Sequence, residues 1–218
     1  MLSQAEENYL KAIYHLEMIS STEISTNAIA KKLKTKASSV TDMVKKLSEK
    51  NLVIYKKYQG VNLSEKGRKF AASVIRKHRL WEVFLVDKLH FNWDEVHEIA
   101  EQLEHIKSEK LANQLDAYLG FPKNDPHGDP IPDEDGNITV QNKVKLSLLE
   151  EKKETVLLGV KGGTDQFLKY LSKKGIAIGN AIKIISKEPF DNSMVIFINN
   201  NELVITHQVA ENLLVKED

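Results

Sequence analysis

The apolar period of this chain changes at one place, and that change limits its fold more than anything else in the sequence. Up to about residue 119 the apolar residues recur mainly at helical spacing. Residues 120–137, GFPKNDPHGDPIPDEDGN, then run through Pro, Gly and Asp with no apolar period. Beyond them, ETVLLGVK, AIKIISKEPF, SMVIFINNNELVIT and NLLVKE are short β-rich runs separated by turn residues, with a helix expected at Asp165 to Ser172. The expected class is mainly α with a β-rich C-terminal domain, and a small barrel suits the last part. At 218 residues and 41% hydrophobic content the chain can bury one large core or several small ones.

Within the helical part, Ser3 and Glu6 make a capping box, and Tyr9, Ala12, Ile13 and Leu16 form the stripe of a first helix to about residue 19. A short helix from Thr26 to Leu33, a polar turn and a second helix from about Ser38 to Lys50 follow. In that second helix Val40, Met43, Val44 and Leu47 point inward. Its other face, with Lys36 ahead of it, carries Ser38, Ser39, Thr41, Asp42, Lys45 and Lys46, groups suited to base edges and phosphates. LVIYKKYQGVNLS is a hairpin around Gln59-Gly60 with Lys56, Lys57 and Tyr58 near its tip. A helix-turn-helix followed by a basic hairpin is a winged helix; two helices and a hairpin also occur in purely structural settings, but this pattern with basic residues favours DNA binding.

Charge supports that reading even though the whole chain is neutral. Residues 31–80 hold fifteen Lys and Arg against three acids, and residues 81–154 hold eight against seventeen. The first block has the electrostatics expected of a partner for a polyanion, although a solvated lysine-rich surface has the same composition. No cysteine is present, so histidine and carboxylate are the remaining metal ligands. No basic start precedes an apolar run and no window is as long as a membrane span, so a cytoplasmic protein with no membrane partner is expected.

A long helix is expected from Ser64-Glu65-Lys66-Gly67 to about Leu89, with Trp81, Phe84, Leu85 and Leu89 as apolar anchors. It carries His78 and Glu82 one turn apart. The stretch AEQLEHIKSEKL, residues 100–111, then continues a helix on which His97, Glu101, Glu104 and His105 share a face. Such a face is either a wet amphipathic surface or a metal site. Six nitrogen and oxygen donors on consecutive helices, directly after a DNA-binding module, favour a metal that sets the position of that module.

EENYLKAIYHL, ASSVTDMVKKL, LSEKG, RKHRLWEVFL, DEVHEIAEQLEHI and PHGDPIP together resemble the iron- and manganese-dependent repressors of the DtxR/MntR type, over nearly the whole chain. The resemblance implies three domains: a winged helix-turn-helix at 1–64, a helical metal-binding and dimerisation domain at 65–140, and an SH3-like, FeoA-type barrel at 141–218. It implies a homodimer that binds palindromic operator DNA when loaded with Mn(II) or Fe(II), usually repressing metal-uptake genes. By position, Glu101, Glu104 and His105, with Asn8 from the first helix, match the activating site. His78, Glu82 and His97 match an ancillary site.

Iron-responsive members have Met and Cys where this chain has Asn8 and Glu101, hard oxygen donors that favour manganese. The short manganese-responsive branch has acids at positions 8 and 11, whereas this chain has Asn8 and Lys11, a departure from that two-metal cluster. From the last domain Gln166 is retained, Gly163 stands where a glutamate is expected, and Asp165 offers an alternative ligand. DPHG with its His127 has the look of a metal loop, but its place in a proline-rich turn favours a structural role. Two rival functions remain: a winged-helix regulator of a small organic ligand, and a metal-dependent hydrolase.

Overall fold

The computed structural model describes residues 2–20, 23–56, 59–139, 141–162 and 164–217. Chain order is not the order of its compact units. Residues 1–81, 100–118 and 131–138 form one unit, and residues 82–99, 119–130 and 139–218 form the other.

The first unit opens with α1 (Gln4–Ile19), whose first amides are satisfied by a capping box between Ser3 and Glu6. The helix α2 (Thr26–Lys32) is capped by the Ser25 hydroxyl, and α3 (Ala37–Glu49) follows it. Strands β1 (Val53–Lys56) and β2 (Gly60–Leu63) pair antiparallel from Val53 opposite Leu63 to Lys56 opposite Gly60. Leu10, Ile13, Ile29, Val40, Val44, Leu47, Leu52, Val61 and Ile75 make the core, with Met43 half-buried against it.

The winged helix-turn-helix expected from the sequence is therefore present. Lys57 and Tyr58, expected near the hairpin tip, lie outside the described residues. The Ser64 hydroxyl caps the start of α4 (Glu65–Leu89) by accepting from the Gly67 amide. A Cβ at Gly67 would come within 1.9 Å of the Leu52 carbonyl oxygen, so the glycine of LSEKG is what lets this helix lie against the loop before the hairpin.

The helix expected through residue 111 is broken. It forms as α5 (Val96–Leu103), and α6 (Glu109–Tyr118) starts afresh. Ser108 competes with helix continuation: its hydroxyl accepts from the Leu111 amide and its carbonyl from the Ala112 amide, an N-cap inside an otherwise helical period. Glu104 and His105 thus lie in the turn after α5, not on its face.

In the second unit the C-terminal strands are β3 (Lys143–Lys145), β4 (Glu154–Val160), β5 (Ala181–Lys187), β6 (Met194–Ile198), β7 (Asn201–Ile205) and β8 (Leu213–Lys216). Their order is β3-β8-β4-β5-β6-β7, every neighbouring pair antiparallel. The sheet keeps two edges, β3 and β7, so the closed barrel expected from the sequence is not what forms. Register shifts in β4 and β5 mark irregularities that bend the sheet without closing it.

Asn199 and Asn200, both at positive φ, turn β6 into β7 as a two-residue hairpin. The helices α7 (Asp165–Lys173) and α8 (His207–Asn212) start at the caps Thr164 and Thr206. Leu157, Leu168, Leu171, Ile182, Ile184, Ile196 and Leu213 are buried in this core.

Candidate metal centre and nucleic-acid face

Ser38, Ser39, Asp42, Lys45 and Lys46 are exposed on α3, and Lys36 is exposed at its N-cap. Thr41 is half-buried, with its hydroxyl donated back to the Ala37 carbonyl. Lys56 ends β1, exposed. Lys46 is not simply solvated, because its ammonium lies 3.2 Å from Glu6 Oε1 and that of Lys50 lies 2.6 Å from the same oxygen. Burial alone would raise the Glu6 pKa. Hydrogen bonds from Lys50, the Ser3 amide and Lys46 outweigh it and hold the carboxyl at about 2. This ties the C-terminal end of α3 to the start of α1.

The donors expected to bind metal fall into two groups. In the first unit the Glu104 carboxylate is 1% exposed, and its Oε2 lies 2.6 Å from both Lys11 Nζ and His78 Nδ1. The short His78 distance is that of an Nδ1–H donating to the carboxylate. Burial pushes the Glu104 pKa up, and the His78 hydrogen bond with the Lys11 charge brings it below its ordinary value.

His105 Nε2 is 3.8 Å from Glu104 Oε1, and its Nδ1 is 2.6 Å from Glu7, which also pairs with Lys107. Glu101 is half-exposed, with Oε1 3.7 Å from Lys11. The residues that α1 brings to this cluster are Glu7 and Lys11. Asn8 is exposed.

In the second unit Glu82 is 2% exposed and is bracketed by histidines, with His97 Nδ1 3.3 Å from one oxygen and His127 Nδ1 3.7 Å from the other. His78 precedes Glu82 by one turn of α4. Glu82, Asp125 and His127 hold ligand atoms within 4.8 Å of one another. Asp125 Oδ1 accepts the amides of His127 and Asp129, a side-chain turn that fixes the DPHG loop.

Gly128 has φ +89°, and a Cβ there would lie 2.0 Å from the Leu158 carbonyl oxygen, so the loop needs glycine to approach β4. His127 Nε2 is 2.8 Å from the Trp93 carbonyl, and the two rings stack. That bond assigns the proton to Nε2 and directs Nδ1 toward Glu82. Burial would lower the His127 pKa, but Glu82, Asp125 and the Trp93 carbonyl raise it to about 9.

This donor set is imidazole and carboxylate around a buried glutamate, with His127 held in place by the Trp93 carbonyl, and it suits a first-row divalent cation. Asp125 has no place in the sequence reading of the site, and His127 enters that reading as a turn residue. The available signal was an Asp and a His two positions apart in a loop held by glycine. Asp165 and Gln166 are exposed in the first turn of α7. Gly163 lies outside the described residues.

Three family models match. Residues 1–61 match the iron dependent repressor N-terminal DNA binding domain, residues 64–133 the iron dependent repressor metal binding and dimerisation domain, and residues 144–217 the FeoA domain. A solved manganese-dependent transcriptional repressor in complex with manganese is similar over 96% of this chain and 98% of its own, at 32% identity and a TM-score of 0.85. The chain belongs to the family of iron- and manganese-dependent transcriptional repressors.

Within this family, the structure of ScaR with bound Zn2+ is similar over 98% of this chain and 99% of that one, at 32% identity and a TM-score of 0.76. The iron-dependent repressor IdeR of Mycobacterium tuberculosis is 37% identical over 131 residues, 60% of this chain and 56% of IdeR, so the chain spans little more than half the length of that relative. The family is one of DNA-binding regulators, not of enzymes. Among the described residues no helix is long and apolar enough to cross a membrane.

Proposed function

We propose that this chain is a metal-activated repressor that works in the cytoplasm as a homodimer on palindromic double-stranded operator DNA. Manganese(II) is the favoured effector and iron(II) the alternative, and metal-uptake genes are the targets. The working parts are a DNA-binding domain at 1–64, a metal-binding and dimerisation domain at 65–140, and a FeoA-type domain at 141–218. The observation that carries the reading is Glu82. A carboxylate 2% exposed, with an imidazole on each oxygen and Asp125 beside it, is costly to bury unless a cation balances it.

Glu82, Asp125 and His127, with His97 and His78, are the first ligand set. Glu101, Glu104 and His105 are the second. Asn8, Asp165 and Gln166 are exposed and are further candidate ligands. A divalent cation supplies charge that these carboxylates otherwise draw from histidine and lysine. The absence of sulfur from both sets supports manganese over softer ions.

On the DNA side, Lys36, Lys45, Lys46, Lys56 and Lys57 are phosphate partners, and Ser38, Ser39, Thr41 and Asp42 face base edges. Exposed Leu111 and Tyr118 on α6 support a further apolar interface, as a dimer requires. Metal and DNA then favour the same arrangement of the chain, and each raises affinity for the other by the same factor. The test is operator binding titrated with Mn(II), Fe(II), Co(II) and Zn(II) under anaerobic conditions. Stimulation by Mn(II) or Fe(II) is expected, and DNA binding indifferent to every metal would refute the reading.

A further inference from the structure

The Lys11 side chain is 13% exposed, and its ammonium lies 2.6 Å from Glu104 Oε2, 3.7 Å from Glu101 Oε1 and 3.3 Å from His78 Nδ1. It is thus surrounded by the same groups that a cation between these two carboxylates would use. Glu104 is nearly inaccessible to water. Its charge needs a partner in the metal-free chain, and Lys11 is a full positive charge at contact distance. An ammonium and a divalent ion cannot share one carboxylate oxygen, because the two cations would repel at close range in a poorly solvated site.

We propose that Lys11 is a tethered cation that fills the Glu101/Glu104 carboxylate pair in the metal-free chain, so that a divalent metal enters there only by expelling the Lys11 ammonium. The lysine then sets the metal threshold of this cluster and makes it fill after the Glu82 cluster. Displacement is feasible because the stem is long and unbranched and the side chain retains some contact with solvent. The tether matters because a covalently held competitor acts at a local concentration in the millimolar range or above, whatever the salt outside. A divalent ion prevails only once its stronger attraction to both carboxylates offsets that advantage.

The inference rests on the metal-regulator reading and is separable from it. Full-length wild type, Lys11→Met, Lys11→Gln, Lys11→Arg and Glu104→Gln are dialysed against Mn(II), with bound metal counted per chain and melting temperatures measured with and without Mn(II). In wild type one binding step is expected to survive Glu104→Gln and a second, weaker step to vanish with it.

Lys11→Met should tighten that second step by about tenfold or more. It should also lower the melting temperature of the metal-free chain, and Mn(II) should restore it. Lys11→Gln is the second neutral variant should Lys11→Met not fold, and Lys11→Arg should behave like wild type. Equal second-step affinity in wild type and the neutral variants would overturn the proposal while leaving the regulator reading intact. So would Mn(II) binding that Glu104→Gln leaves unchanged in every background. No Mn(II) uptake by any variant would overturn both.

Discussion

The two acidic clusters of this chain neutralise a buried carboxylate in different ways. Glu104 is balanced by Lys11, an ammonium on a neighbouring helix, with His78 on the same oxygen. Glu82 is balanced by His97 and His127, and the positive charge on His127 is a proton. A proton leaves for solvent when a metal arrives. A lysine remains attached and must rotate away. Similar donor chemistry can therefore give a site that exchanges a proton for metal and a site that resists metal, depending on which cation the fold supplies.

The largest expected effect tests whether Glu104 needs its cation. Glu104→Ala leaves Lys11 and His78 without their shared acceptor and should cost about 3 kcal/mol or more in the metal-free state, read by urea unfolding. If the loss is below about 1 kcal/mol, Glu104 is better solvated than its burial implies. Next, Glu82→Gln should weaken Mn(II) binding by about a hundredfold and remove metal-stimulated operator binding, since it takes away the one carboxylate that both histidines address. Equilibrium dialysis and a mobility-shift titration on the same preparation would check it. An unchanged Mn(II) isotherm would mean that the histidines, not Glu82, define the site.

pH separates the clusters more finely. The folded-state pKa of His127, about 9, lies above the ordinary histidine value of 6.5. Its contribution to stability is therefore complete below pH 6.5 and is lost as pH rises through about 9, a loss of about 1–3 kcal/mol without metal. Glu104 is shifted down, so its contribution is present above the ordinary glutamate pKa and falls away as pH is lowered. Glu6 adds to the acid side, its stabilisation disappearing between the ordinary value of 4.5 and about 2. Metal-free unfolding from pH 3 to pH 10 should weaken at both ends, and His127→Gln should flatten only the alkaline limb. An alkaline limb that survives His127→Gln would show that another group titrates there.

The smallest effect lies on α3. Lys45→Ala should lower the salt slope of DNA binding by about one. Lys46→Ala should do less, because part of its charge is already committed to Glu6. Equal losses would show that Lys46 leaves Glu6 when DNA binds.

Much of the local structure was legible from residue order. The Ser3–Glu6 capping box, the stripe Tyr9, Ala12, Ile13 and Leu16 and the inward set Val40, Val44 and Leu47 depend on neighbours within one or two turns, and α1 to α4 appear where that periodicity puts them. The β-rich end was legible for the same reason, since alternation and turn residues are local signals. The break at Ser108 was harder to see, because helix period and N-cap chemistry compete there over a few residues and the period alone suggested continuity.

The sequence alone determined the classes of donor available: no thiolate, many carboxylates and seven histidines. It also determined that a basic winged helix would precede them. Only the tertiary structure decided which donors meet. Asp125 and His127 reach Glu82 because Gly128 lets the loop pack against Leu158, about thirty residues further along. Lys11 reaches Glu104 across more than ninety residues. The open sheet was decided there too, since closure depends on how far twist and register shifts accumulate over all six strands. Each of these outcomes is a long-range meeting of charges or backbones, whose energy is realised only when distant segments are brought together, and no local pattern records it.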